Sequence, residues 1–415
     1  MPRETNSAMS SRSTRSDHKW AFKTRFRRNA FGWRSQPAIQ RINQAVSEIK
    51  SVARKDPMLA AEGAVAFIER LVPAIEAIDS SSGAIGSAVN RAIDALTAII
   101  AAAPEQGPRR ESWLARLWQA YQDDGMGYLD GLGDGWDQLC ATIEIATKWA
   151  DELAPILRAV RTRAPAERSY FHGAGAAYGA LFAAQRYDEL LELLELDGGG
   201  LWDYRRWGFK ALAAQGRRAE ALRYAQRFRD ERYGEEAIAR DCEALLLASG
   251  FADEAYERYA LQANQEATNL ATFRAITKKY PGKNKQVILR DLVASTPGME
   301  GKWFAAAKSA GLLDEAIALA RLSPTDSKTL ARAARDFSEI NPAFALEASL
   351  TGLDWLAQGY GYEITVLDVQ GLCASGLYAA ERIKASEQFM VRLRAIAERA
   401  DQFVREALKP FLRQQ

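Results

Sequence analysis

The chain has 415 residues, 48% of them hydrophobic and 26% charged, with 55 basic against 53 acidic side chains. A chain of that length corresponds to two or three domains or one elongated repeat array, and it buries a sizeable core without covalent staples. Only Cys140, Cys242 and Cys373 are present, far apart, which excludes a disulfide framework and a Cys-x-x-Cys zinc site and suits a reducing, cytoplasmic setting. His18 and His172 are the only histidines, so zinc chemistry or a histidine-based triad has little to work with. The longest apolar stretches, such as 95–103, are well short of the ~20 residues of a membrane span.

The near-neutral total hides a polarity. Residues 1–34 contain nine Lys or Arg against Glu4 and Asp17, a net +7, which leaves 46 basic and 51 acidic residues, a net −5, on the remainder. Residues 1–18 are polar with almost no apolar anchor and are expected to be a disordered basic tail. Residues 19–34 interleave cations with aromatics, and the spacing predicts a helical arm with Phe22, Phe26 and Trp33 on one side and Lys19, Lys23 and Arg27 on another. Two readings of this arm follow. Its aromatics pack onto the body while the cations stay solvated, the preferred reading because aromatics at helical spacing are generally core. Alternatively Lys19, Lys23, Arg25, Arg27, Arg28 and Arg34 meet nucleic-acid phosphates or another polyanion.

Over 35–168 the periodicity predicts successive helices. Ile39, Ile42, Val46 and Ile49 keep three- and four-residue steps, Pro57 suits the first turn of the next helix, and the stretch 79–83 is a turn rich in N-cap candidates feeding a helix over 85–100. Trp113, Leu114, Leu117, Trp118 and Tyr121 form one stripe, the Gly- and Asp-rich stretch 123–137 reads as a solvated loop or broken helix, and 139–163 is helical again. Paired helices of this length, joined by short polar turns, resemble HEAT-type packing.

Beyond residue 169 the chain repeats itself. Gly216, Gly250 and Gly311 each open the pattern Gly, three variable residues, Glu-Ala, with weaker copies at Gln185, Gly282, Asn341 and Gly376, so that successive separations are 31, 34, 32, 29, 30 and 35 residues. The Gly ends one helix in the left-handed conformation, the acid complements the dipole of the next, and the Ala allows close approach. Trp207, Ala211 and Leu212, then Ala221, Tyr224 and Phe228, resemble tetratricopeptide helix positions, although the proline that closes each such repeat is mostly missing. Residues 169–415 thus resemble a tetratricopeptide-like α-solenoid. The run 363–369 is read as a helix start capped near Thr365, and 386–412 as a single amphipathic capping helix.

Enzymatic motifs fail on their own terms. The glycines at 173, 175 and 179 imitate a dinucleotide fingerprint without a preceding strand, so small residues for close helix packing explain them better. Asp130, Asp134 and Asp137 miss the EF-hand ligand positions, and the 79–83 cluster lacks the Lys of a phosphate loop. The expected fold is all-α, the expected function a non-enzymatic protein- or peptide-binding scaffold without cofactor or metal. The resemblance implies a concave groove lined by the first helix of each pair. Contacts are expected from Trp202, Tyr204, Arg205, Arg206, Trp207 and Lys210, and more weakly from Tyr360, Tyr362 and Glu363, on the aromatic and Arg enrichment of binding hot spots. The alternative, nucleic-acid association, adds Lys278, Lys279, Lys283 and Lys285 to the arm.

Overall fold

The computed structural model describes residues 18–164, 167, 170–199, 201–229 and 234–413, and every element among them is helical. The expected tail, 1–18, lies outside the described residues apart from His18. The chain forms two compact units, Met1–Glu235 and Glu236–Gln415.

The first unit contains α1 (Phe22–Arg25), α2 (Ser35–Ala53), α3 (Pro57–Ile75), α4 (Ala84–Ala102), α5 (Pro108–Gln122), α6 (Asp130–Asp134), α7 (Trp136–Cys140), α8 (Ile143–Arg161), α9 (Ala174–Ala183), α10 (Tyr187–Asp197), α11 (Trp202–Ala214) and α12 (Arg218–Gln226). Local signals place several boundaries: the Asp56 carboxylate accepts from Leu59 N at 2.9 Å ahead of Pro57, and Thr142 caps α8. Before α4 the expected side-chain cap does not form. Gly83 occupies the cap position at φ 68°, while Asp79 accepts from Ser81 N within the turn. Helices α2, α3 and α4 pack against one another, burying Ile42, Ile49, Val65, Ile68, Ile85, Val89 and Ile93. α4 is long and apolar enough to cross a bilayer by length and composition, although the stretch 95–103 alone is not; its Ile and Leu stripe is buried in this core.

The stretch 123–137 is a broken helix rather than a solvated loop. Leu129, Leu132, Trp136 and Leu139 are fully buried, because α6 and α7 are covered by α9. Here the glycines at 133, 175 and 179 do their work: a Cβ on Gly175 would lie 3.4 Å from the Gly133 backbone, and one on Gly179 would lie 3.0 Å from Trp136 Cβ. The expected repeat onset at 169 therefore falls inside the first unit.

α13 (Glu235–Ala248) begins at the division between the units. The second unit continues with α14 (Ala252–Ala255), a π turn (Tyr256–Ala260), α15 (Leu261–Ala263), α16 (Asn269–Lys279), α17 (Lys285–Ala294), a 3-10 turn (Glu300–Trp303), α18 (Phe304–Ser309), α19 (Leu313–Leu322), α20 (Ser327–Phe337), α21 (Pro342–Ala357), α22 (Val366–Arg382), α23 (Ser386–Arg399) and α24 (Gln402–Leu412). Consecutive helices pack as pairs, and alternate ones also meet: α19 with α21, α21 with α23, α20 with α22, α22 with α24. The stretch 386–412 is thus two helices, not one; Ala400 is extended and Asp401 caps α24 by accepting from Val404 N at 2.8 Å. Thr365 does start α22, in a reciprocal capping box with Asp368.

The repeated Gly is a helix terminator in both units. At Gly216, Gly250 and Gly311, φ is 76–81°. The next residue's N–H returns to the carbonyl five residues back (Arg217 to Leu212, 2.9 Å; Phe251 to Leu246, 2.9 Å; Leu312 to Ala307, 3.0 Å), the Schellman arrangement. Gln185 makes the same turn at φ 59° despite its Cβ. Ala221, Ala255 and Ala316 are fully buried, and Glu220, Glu254 and Glu315 lie in first turns. Three weaker copies have other roles. Gly282 has no positive φ, Asn341 caps the start of α21, and Gly376 lies inside α22, where a Cβ would come within 2.2 Å of Ser349 Oγ and 2.6 Å of Phe389. The equivalent left-handed turn after α22 is made by Lys384, φ 57°.

Candidate functional site

The segment expected to contact a partner is largely interior. Trp207 is fully buried and Trp202 and Arg205 nearly so. The Arg205 guanidinium donates to Leu194 O at 2.8 Å and Gly199 O at 2.7 Å, closing the C-terminal end of α10. Arg206 pairs with Asp134 at 2.6 Å, Lys210 lies 3.9 Å from Asp137 and 4.2 Å above the Trp207 ring, and half-buried Tyr204 packs near Tyr178. The aromatic and basic residues of α11 thus hold α6, α7 and α10 in place. The acids at 134 and 137, separated from these cations by about seventy residues of chain, are their partners within the fold. Asp130 is in turn 2.8 Å from His172 Nε2, an acidic partner far away in sequence.

The lysine turn is partly consumed in the same way. Glu243, almost wholly buried, accepts from Lys279 Nζ at 2.8 Å, Tyr280 Oη at 2.6 Å and Asn264 Nδ2 at 2.7 Å. Lys283 lies 3.5 Å from Asp253 and 4.5 Å above Tyr256. Lys278 and Lys285 are exposed.

The arm is not a continuous helix: only the single turn α1 forms. Trp20, Phe22 and Phe26 are buried, with Phe22 and Phe26 edge-on to Phe67 at 5.2 and 4.8 Å, and Trp20 lying against the Cβ-less flank of Gly63. Trp33 does not share that face; it is 66% exposed, with Arg34 5.6 Å from its ring. Lys19, Lys23, Arg25, Arg27, Arg28 and Arg34 remain exposed, Arg25 donating to Gln44.

In the second unit the weaker expectation lies at the surface. Tyr360 and Tyr362 are exposed, Glu363 is exposed at φ 49°, and Val366 and Leu367 continue the apolar strip into α22. Tyr360 meets Trp355 edge-on at 5.3 Å, and Trp355 donates from Nε1 to Ala320 O at 2.7 Å.

Trp355 also lines a cavity of about 390 Å³ between α19, α21 and α23. Two rungs span α21 and α23. Arg392 forks onto Glu347 at 2.6 and 2.8 Å, and Arg399 pairs with Asp354; Arg321 of α19 also reaches Glu347. Matched seven-residue spacings, 347 to 354 and 392 to 399, put each set of charges on one helical face two turns apart. This was the sequence signal available, but the pairing of α21 with α23 is tertiary. Burial works to raise the Glu347 pKa, but the Arg392 hydrogen bonds and the charges of Arg392 and Arg321 outweigh it and hold the carboxyl below its ordinary 4.5. A depressed carboxylate contributes stability that is complete above that ordinary value and is lost as pH falls through the folded one. Glu347→Gln is therefore expected to cost about 1 kcal/mol at pH 7 and to flatten the loss of stability below pH ~4.5, as read by urea unfolding across pH.

Together these features define an all-α protein of packed helix pairs. No family model, curated protein or solved structure matches the chain.

Proposed function

We propose that the chain is a cytoplasmic, non-enzymatic adaptor of the tetratricopeptide-like α-solenoid type, and that a protein or peptide partner docks on the second unit. The recurrent Schellman turns with buried Ala support the repeat reading. The observation that carries the binding reading is the strip at 360–367, where Tyr362 and Leu367 are 80% and 77% exposed and Tyr360 and Val366 are about half exposed. Neighbouring large apolar side chains on a surface have a standing cost in water that a partner removes. A photo-crosslinker at Tyr362 in the native cell is expected to capture one stoichiometric protein, and Leu367→Lys to abolish capture with unchanged helical content and melting temperature. Capture unaffected by Leu367→Lys would refute the assignment.

Nucleic-acid association is the second reading, favoured by the exposed cations beside exposed Trp33. Deleting the arm would strip Trp20, Phe22 and Phe26 from the core, so the discriminating variant is Lys19→Glu with Arg28→Glu. Binding that declines steeply with salt and is weakened by this pair would support it; Lys278 and Lys285 belong to the other unit and are tested separately.

A further inference from the structure

The arm and the start of α2 carry cations that the fold does not match with acids. Residues 19–47 contain seven Lys or Arg and no Asp or Glu. The first acid after them, Glu48, is engaged by the chain itself: its carboxylate accepts from Ala21 N at 3.0 Å and lies 3.7 Å from His18 Nε2. Arg25 of α1 and Arg41 of α2 converge instead on a neutral group, both donating to Gln44 Oε1, at 3.1 and 2.8 Å. Among the described residues neither pairs with a carboxylate. An amide oxygen takes one donor from each guanidinium and neutralises neither, so two like charges stay close together. The pair lines a cavity of about 380 Å³ together with Phe22, Phe26, Ala45 and Glu48. A second, independent observation is Trp33. Its side chain is 66% exposed on a fixed backbone: Trp33 O accepts from Asp79 N at 2.9 Å, and Asn29 N donates to Pro73 O at 2.8 Å. The Asp79 carboxylate accepts from Ser81 N at 2.9 Å, and the Arg34 guanidinium stands 5.6 Å from the indole ring.

From these groups we infer that the arm and α2 bind single-stranded nucleic acid, with a phosphate between Arg25 and Arg41 and a base stacked on Trp33. This rests on the nucleic-acid reading of the arm and adds the strand type and the two contacts. A phosphate offers several anionic oxygens to the donors that Gln44 leaves free, and relieves the repulsion between the two guanidiniums. An indole needs an unpaired base, because the bases of a duplex already cover one another's faces. From Ser35 to Gln44 α2 rises ~14 Å, a separation that a few nucleotides of extended strand cover, within the ~4–16 nucleotides of known single-strand sites. An anionic bilayer would instead call on several apolar anchors. Trp20, Phe22 and Phe26 are buried, and Trp33 is the one exposed aromatic of the arm.

The test is fluorescence anisotropy of the full chain, across a salt series, with labelled oligothymidine and oligouridine of about 12 nucleotides and with the oligothymidine paired to its complement; co-sedimentation with phosphatidylserine vesicles runs beside it. Saturable binding of at least one single strand is expected, with the duplex at least tenfold weaker. Tighter oligouridine identifies RNA as the ligand, and tighter oligothymidine DNA. Trp33→Ala is expected to weaken single-strand binding roughly tenfold and leave its salt dependence unchanged, because stacking releases no counterion. Arg41→Gln is expected to weaken it and to reduce the slope of log affinity against log salt by ~0.7, the loss of one phosphate contact. Both variants are expected to keep the wild-type melting temperature. A duplex bound as tightly as the single strands, or full affinity in a folded Trp33→Ala protein, would overturn the inference while nucleic-acid association stands. Binding to no strand, or to the vesicles alone, would overturn both.

Discussion

Trp207→Ala is expected to lower the unfolding free energy by about 3–5 kcal/mol, the range for emptying a fully buried aromatic site. The indole fills the space against α9: its ring is 5.7 Å from Phe182, and Gly179 leaves room for its edge, where a Cβ would sit 3.4 Å away. Lys210 Nζ lies 4.2 Å from the centre of the Trp207 ring. Collapse cannot refill such a volume, because α9 is itself held against α6 and α7 by backbone approaches with no side chain to move in. Trp207→Phe keeps most of the ring and is expected to lose markedly less. Urea unfolding of both variants checks this. An alanine variant as stable as the wild type but unable to bind a partner would return Trp207 to a contact role.

Arg110→Leu is expected to destabilise by about 3 kcal/mol or more, because it removes a buried donor set rather than only a side chain. Arg110, wholly buried in the first turn of α5, donates to Ile100 O at 2.7 Å, Ala103 O at 2.8 Å and Glu105 O at 2.9 Å. These are carbonyls at and beyond the end of α4; Ile100 O and Ala103 O each accept one backbone N–H besides, from Ala103 at 3.2 Å and Glu105 at 2.8 Å, and lose their charged donor when Arg110 is removed. Burial pulls the guanidinium pKa down, opposed mainly by Glu105, but not enough to discharge an arginine. Arg110→Lys keeps the charge and loses the fork, so it is expected to recover little of the stability. Thermal unfolding of the two variants reads the difference.

Arg110 and Arg205 show why cations were hard to interpret from the chain alone. Each is an arginine whose guanidinium serves as the C-terminal cap of a neighbouring helix, and nothing in the local sequence marks it as interior. On α11, Trp202 and Phe209 share one face, their rings 5.8 Å apart, while Trp207 lies on another, so the hydrophobic pattern names no single buried face; Trp207 fitted both the repeat's interior positions and a binding hot spot. Packing chose the interior. The arm divided along similar lines: Trp20, Phe22 and Phe26 found a site on α3, whereas Trp33, seven residues beyond Phe26, did not, because the helix that would align them ends after one turn.

What the sequence by itself determined is local. Left-handed glycines at 216, 250 and 311, the Asp56 and Thr365 caps, and acids in the following turns define helix ends because each involves residues within about five positions of one another. What only the tertiary structure decided is which distant charges meet. Glu243 with Lys279, Asp134 with Arg206, and Glu347 with Arg392 lie 36, 72 and 45 residues apart, and their pairing depends on which helix faces pack. The same packing set the two rungs across α21 and α23 and left Tyr362 and Leu367 at the surface, because a side chain's exposure is a property of its neighbours in space.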